Sequence, residues 1–173
     1  SLALADPQCR LLVAVCTSRR QQLALPDVAW LADDKTAPLV RNNLRLLYGR
    51  WLVQENLFDE ASDQLAALAP EDVVDPASLL FYQAVVFQRT LARDKGLGAI
   101  ARLLENEQAV PRRYLSLARL MQADLEPLKD ESLDHIARRM DDIRRRLDLG
   151  RAGPKVREVE DGVIASLDKL IKK

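Results

Sequence analysis

Residues 44–68 read LRLLYGRWLVQENLFDEASDQLAAL, and this stretch decides the fold. In its first half Leu44, Leu47, Tyr48, Trp51 and Leu52 recur at steps of three and four. That spacing puts them on one face of an α-helix. Asn56 breaks the pattern with a residue that tolerates the backbone of a turn. Asp59 and Glu60 then open a partner helix, where acids suit the positive end of the helix dipole, and Ala61, Leu65 and Leu68 give it an apolar face. Two helices joined by so short a turn must pack antiparallel.

The same grammar extends in both directions. Upstream, Asp6-Pro7 predicts a capped first helix with Leu11, Leu12, Val15 and Cys16 on its apolar face, ending near Arg19-Arg20. A second short helix is predicted after Pro26, carrying Val28, Trp30 and Leu31 and stopping at Asp33-Asp34. Thr36-Ala37-Pro38 then starts the helix that contains Leu44. Downstream, Asp75-Pro76 caps a helix with Leu79, Leu80, Tyr82, Val86, Phe87 and Leu91, followed by a turn expected at Lys95-Gly96-Leu97-Gly98. Ala99, Ile100, Leu103 and Leu104 lie on the returning helix, and Pro111 starts another that runs to Leu125.

Beyond Pro127 the periodicity changes. Leu133, Ile136, Met140, Ile143 and Leu147 alternate steps of three and four, the seam of a coiled-coil helix. After a turn at Gly150 and Gly153-Pro154, Val156, Val159, Val163, Leu167 and Leu170 form a second seam. The expectation is an all-α protein in two parts: stacked antiparallel hairpins over residues 1–127 and a helical hairpin over 128–173. Nowhere does the chain alternate with the period of a strand.

Composition narrows the function classes. Apolar residues make up 48% and charged residues 30% of 173 residues, which is ordinary for a chain with a packed core. Formal net charge is zero, so nucleic acid and anionic membrane have no bulk electrostatic attraction to this chain. The apolar runs, residues 11–16 and 79–87, fall far short of the ~20 residues that span a bilayer. Cys9 and Cys16 stand seven apart on one predicted helix. That spacing separates their Cα atoms by about 10 Å, too far for a disulfide. With His135 the sole histidine, no metal-ligand set can be assembled from the motifs. A start without methionine and an end inside a periodic helix predict an excised piece of a longer protein. Ala3-Leu4-Ala5 resembles the small-residue end of a signal peptide, and the compartment stays open between cytoplasm and export.

Residues 44–68 resemble a tetratricopeptide repeat, a helix-turn-helix unit of about 34 residues. The resemblance rests on Gly49 in the first helix, Asn56 at the turn, Phe58 just after it, and Ala61 with Leu65 in the second helix. A weaker copy follows over about residues 76–106. Aligning Ala99 with Ala61 offsets it by 38 residues, sets Phe87 in place of the glycine, and puts Gly96 where the turn aromatic belongs. The resemblance implies a short α-solenoid whose concave groove receives a protein or peptide. On its first helix the groove residues would be Asn43, Leu46, Arg50, Val53 and Gln54. The family's carboxylate clamp would need a basic residue on the next first helix, where Arg89 is the one candidate.

No hydrolase, metalloprotease, phosphate-loop or dinucleotide motif occurs. Glu60 and Asp63 share a helix face but read as solvated surface, and His135 falls outside the seam. Tyr48 with Trp51, and Phe81 with Tyr82, read as core aromatics. Charge is the informative surface feature. Residues 51–88 hold seven acids and no base, whereas residues 133–157 hold eight bases against four acids. Arg138, Arg139, Arg144, Arg145 and Arg146 therefore form a candidate basic surface, suited to docking on an acidic one in this chain or another copy. Interspersed aspartates and the lack of stacking aromatics exclude nucleic acid. The expected function is a non-enzymatic, cofactor-free interaction scaffold with a protein or peptide partner. Its alternatives are an oligomerising or regulatory fragment that self-associates through residues 128–173, and an all-α ligand-binding protein.

Overall fold

The computed structural model describes residues 6–18, 24–32, 36–151 and 153–172. Among them are eight α-helices, three short 3-10 turns and no strand. The all-α expectation holds. Arg19-Arg20, Asp33-Asp34 and Ala3-Leu4-Ala5, to which the sequence assigned roles, lie outside the described residues. None of the described helices is long and apolar enough to cross a membrane. Two compact units divide the chain, one ending at Gln122 and the other starting at Ala123.

In the first unit, α1 (Pro7–Cys16) is capped as its sequence prescribes: the Asp6 carboxylate accepts from the Gln8 amide at 2.8 Å. The short helix expected after Pro26 is a single 3-10 turn, Ala29–Ala32. α2 (Pro38–Gln54) and α3 (Phe58–Leu65) form the first hairpin, α4 (Pro76–Arg89) and α5 (Arg93–Leu104) the second, and α6 (Arg112–Leu125) follows. Trp51 Nε1 donates to the Ser18 carbonyl at 2.9 Å and fastens α2 to the segment just after α1. Consecutive helices from α1 to α5 pack on one another, and α4 reaches back to α2 as well.

The hairpin turns are built alike. At the end of α2 the Leu57 amide donates to Leu52 O at 2.8 Å and the Asn56 amide to Val53 O at 3.1 Å, with Asn56 at φ 60°. This is the Schellman arrangement, which occupies carbonyls that a helix end leaves bare. At the end of α4 the Ala92 amide donates to Phe87 O at 2.8 Å and the Leu91 amide to Gln88 O at 3.2 Å, with Leu91 at φ 58°. Leu91 stands 35 residues after Asn56. The second turn is thus at residues 90–92. Lys95, Gly96, Leu97 and Gly98, expected to form it, belong to α5. The sequence reading took the two glycines for punctuation, but one helical turn earlier the backbone had already closed on a leucine.

A 35-residue offset, in place of 38, aligns the buried positions. Leu44 matches Leu79, Leu65 matches Ile100 and Leu68 matches Leu103, all buried. Gly49 matches Ala84, and Ala61 matches Gly96, again all buried. Each hairpin therefore carries one glycine and one alanine where its helices meet, in opposite order. The approach is close: a Cβ on Gly49 would lie 2.5 Å from both Cγ and Cδ2 of Leu65. At eight residues α3 is too short to persist in isolation. Packing holds it, since Phe58, Ala61 and Leu65 are all buried and each large apolar side chain contributes about 1.5–3 kcal/mol. Gln83, which interrupts the apolar run of α4, is buried and donates from Nε2 to Leu65 O at 2.8 Å and Leu68 O at 2.9 Å. It adds a side-chain clasp to the C-terminal end of α3, where the Leu68 amide already donates to Leu65 O at 3.1 Å.

In the second unit α7 (Leu133–Asp148) packs on α8 (Pro154–Ile171). Ser132 caps α7 by accepting from the His135 amide at 3.1 Å. The turn repeats the Schellman pattern: Arg151 N donates to Arg146 O at 2.9 Å and Gly150 N to Leu147 O at 2.8 Å, with Gly150 at φ 71°. The two seams are only partly joined. Ile136, Val156 and Val163 are buried, but Leu133, Met140 and Leu147 remain 71%, 54% and 48% exposed. α8 therefore covers the edge of the stripe marked by Ile136 and leaves the edge marked by Leu133, Met140 and Leu147 open.

Candidate functional site

Five residues of α2 were placed on a partner groove, and their surroundings differ. Arg50 and Gln54 are exposed, Asn43 and Val53 are half-buried, and Leu46 is buried. Leu46 is a correction: α1, α3 and α4 all pack on α2, leaving little of its circumference to solvent. Asn43 is occupied inside the chain. Its Nδ2 donates to Leu39 O at 2.7 Å and its Oδ1 accepts from the Val74 amide at 3.0 Å, tying the loop before α4 to α2. Arg50 and Gln54 converge on one aromatic of α4. The Arg50 guanidinium lies 5.8 Å from the centre of the Tyr82 ring, and the Gln54 side chain hydrogen-bonds Tyr82. Burial raises the phenol pKa of Tyr82, and the cation of Arg50 partly opposes that shift.

From Tyr82 the aromatic contacts continue to α6. Tyr114 stacks on Phe81 with ring centres 4.1 Å apart, meets Tyr82 edge-on at 6.3 Å, and pairs its hydroxyl with Ser78 Oγ at 3.1 Å. Arg113 lies over the Tyr114 ring at 5.0 Å. One and two turns along α6 from Arg113, Leu117 and Leu120 are exposed. Contacts thus cross three helices, from Arg50 and Gln54 on α2 through Tyr82 on α4 to Tyr114 and Arg113 on α6, with Leu117 and Leu120 exposed further along α6. Tyr48, Trp51 and Phe81 are buried as expected for core aromatics, whereas Tyr82 is half-buried and faces Arg50. The sequence reading missed Arg113, Leu117 and Leu120. The signal was there, since Pro111 stands 35 residues after Pro76, but the 38-residue alignment hid it.

The five arginines do not form one basic surface. Arg138 makes two 2.7 Å hydrogen bonds to Asp124 and one of 3.1 Å to Asp134. Arg139 reaches Val159 O at 3.3 Å and lies over Gly162 of α8, where an added Cβ would sit 2.0 Å from its Nη2. Arg145 and Arg146 both bind Asp142, Arg146 through Nε at 2.6 Å, and Arg146 is buried. Of the five, Arg144 alone is exposed. The bases outnumber the acids in this segment, yet Asp134 and Asp142 pair with arginines one helical turn away and Asp124 pairs with Arg138 from α6.

Other titratable groups lie inside. Both cysteines are free, Cys9 buried and Cys16 half-buried. Desolvation pushes the Cys16 thiol up to about 12 and raises Cys9 as well. Tyr48 is likewise raised to about 12, first by desolvation and then by the neighbouring Cys16 and Glu60. Glu60 is therefore half-buried beside Tyr48 rather than fully solvated, while Asp63 is exposed. His135 is also partly buried, with Nε2 4.0 Å from Asp130. Comparison with protein families, with characterised proteins and with solved structures finds no match.

Proposed function

We propose that this chain is a non-enzymatic protein-interaction scaffold of the helical-repeat, tetratricopeptide-like kind, which receives an extended peptide across α2, α4 and α6. The observation that carries the reading is the chain of contacts from Arg50 over Tyr82 and Tyr114 to Arg113, with exposed Leu117 and Leu120 one and two turns further along α6. It puts a cation and an aromatic at one end and an apolar shelf at the other. Recurrence of the hairpin after 35 residues, with equivalent turns and equivalent small residues, supports it. The matching ligand is a segment with a carboxylate for Arg50 and an aliphatic side chain for the leucine pair. Aromatic and arginine anchors of this kind carry most of the energy in protein interfaces.

Selection of a displayed random-peptide library on the full chain tests the reading. Enriched peptides should share an acidic and an aliphatic position, and Arg50→Ala or Leu117→Ala should each weaken them about tenfold or more. If no peptide is enriched, or if binding survives both substitutions, the proposal is wrong.

A further inference from the structure

We infer that the outer face of the α7–α8 hairpin binds a second copy of the same hairpin, giving a four-helix assembly. Between the two helices Ile136, Val156 and Val163 are buried. Outside them, Met140 and Leu147 of α7 and Ile164 of α8 border an open groove of about 500 Å³ that reaches in to Val163. Ile164 is 59% exposed, and Leu133 and Ile171 extend the stripe toward the end of the hairpin remote from its turn. Its period identifies the kind of occupant. Leu133, Met140 and Leu147 are spaced by seven, as are Ile164 and Ile171. A 3.5-residue repeat keeps a stripe facing another helix along its whole length, whereas an extended peptide or a compact ligand needs no such register.

The rim identifies which helices. Arg144 and Asp148 flank the groove on α7, and Glu160 faces them from α8. A rim for a basic or an acidic partner would carry a single sign. This one carries both, and a two-fold axis sets residue i of one copy against residue j of the other and j against i. Arg144 of each copy then meets Glu160 of its mate, which makes the face complementary to itself. With formal net charge zero, no long-range repulsion opposes the approach. Two hairpins closing on their apolar stripes give the four-helix bundle, the smallest arrangement of such hairpins with a shared interior.

Sedimentation equilibrium of the full chain over about a hundredfold concentration range tests this. The wild type should self-associate as a dimer. Met140→Asp and Ile164→Asp should each weaken the dimer at least about tenfold with unchanged helical circular dichroism. Charge variants keep the test sound if an aspartate disturbs folding. Arg144→Glu and Glu160→Arg should each weaken self-association, and mixing the two variants should restore a dimer, because every pair across the axis is again opposite in sign. A wild type that stays monomeric throughout overturns the inference, whether another part of the chain or a different protein covers the face. A dimer unaffected by all four substitutions, or singles that fail to rescue each other, overturns it equally.

Discussion

Replacing Gly49 by alanine sets two opposed effects against each other, and the structure decides which wins. In a helix interior alanine is favoured over glycine by about 0.5–1 kcal/mol, because glycine loses more backbone freedom on folding. Against that, the new methyl would stand 2.5 Å from Cγ and Cδ2 of Leu65, and Leu65 is fully buried. Its side chain has no open space to swing into, so α2 and α3 must separate or Leu65 must leave its rotamer. Overpacking of this sort costs about 1–3 kcal/mol. The net expectation is destabilisation by about 1–2 kcal/mol, roughly 0.5–1 M in the urea midpoint. Gly98 supplies the control. It lies in α5 with nothing within 4 Å of its Cβ position, so Gly98→Ala should stabilise by the propensity term alone. A double-mutant cycle tests the cause directly. Leu65→Ala alone should cost about 2–5 kcal/mol, and the pair Gly49→Ala/Leu65→Ala should cost at least about 1 kcal/mol less than the sum of the singles, since the added methyl fills part of the void. Urea unfolding followed by Trp fluorescence reads all four chains, with Trp51 two residues from the site. A Gly49→Ala chain as stable as wild type, or a pair that is merely additive, would refute the close-contact argument.

Gln83→Leu keeps the size of the side chain but strands the carbonyl of Leu68 and leaves that of Leu65 with the Leu68 amide alone, and unfolding should show a loss of about 1–3 kcal/mol. Gly150→Ala, also with open space around the new methyl but at φ 71°, should destabilise by about 1–2 kcal/mol where Gly98→Ala stabilises; equal effects would mean that backbone conformation is not the cause. Cys16 and Tyr48 both have folded pKa values raised to about 12, from ordinary values of 9.0 and 10.0. Their neutral forms favour the fold, so this stability is complete below about pH 9 and drains away as pH rises toward 12. Cys16→Ala should flatten the fall in urea midpoint across that window, and an unchanged slope would count against the burial of the thiol.

How much of this was legible in the sequence depended on the scale of the question. Helices announced themselves: Asp6-Pro7, Asp75-Pro76 and Gly153-Pro154 sit at helix starts, and most of the periodic leucines in the first unit are buried, although Leu11, expected on the apolar face of α1, is exposed. Periodicity reports which face of a helix is apolar. It does not report how far a partner helix covers that face, so the seam of α7 was assigned whole and is half exposed. The turn of the second hairpin was missed for a different reason. Leu91 in a left-handed conformation carries no compositional mark, because the turn is made by backbone bonds rather than by a glycine or asparagine. From that error the repeat offset and the α6 part of the contacts followed. The arginine cluster misled through counting, since net charge along a segment ignores which aspartates lie one helical turn away. Gln83 was visible only as a blemish in an apolar run, and its two carbonyl acceptors, at the end of α3 and just beyond it, stand fifteen or more residues earlier.

That reach backward from α4 has a consequence for how the chain is made. A ribosome delivers α3 before Gln83, so the new helix emerges with only eight residues to hold its shape and with the Leu68 carbonyl just past its end still lacking the Gln83 amide. The clasp closes when the next hairpin arrives to provide it. The end of α3 is therefore consolidated only after its own synthesis, and a nascent chain halted before α4 would hold α3 without that clasp.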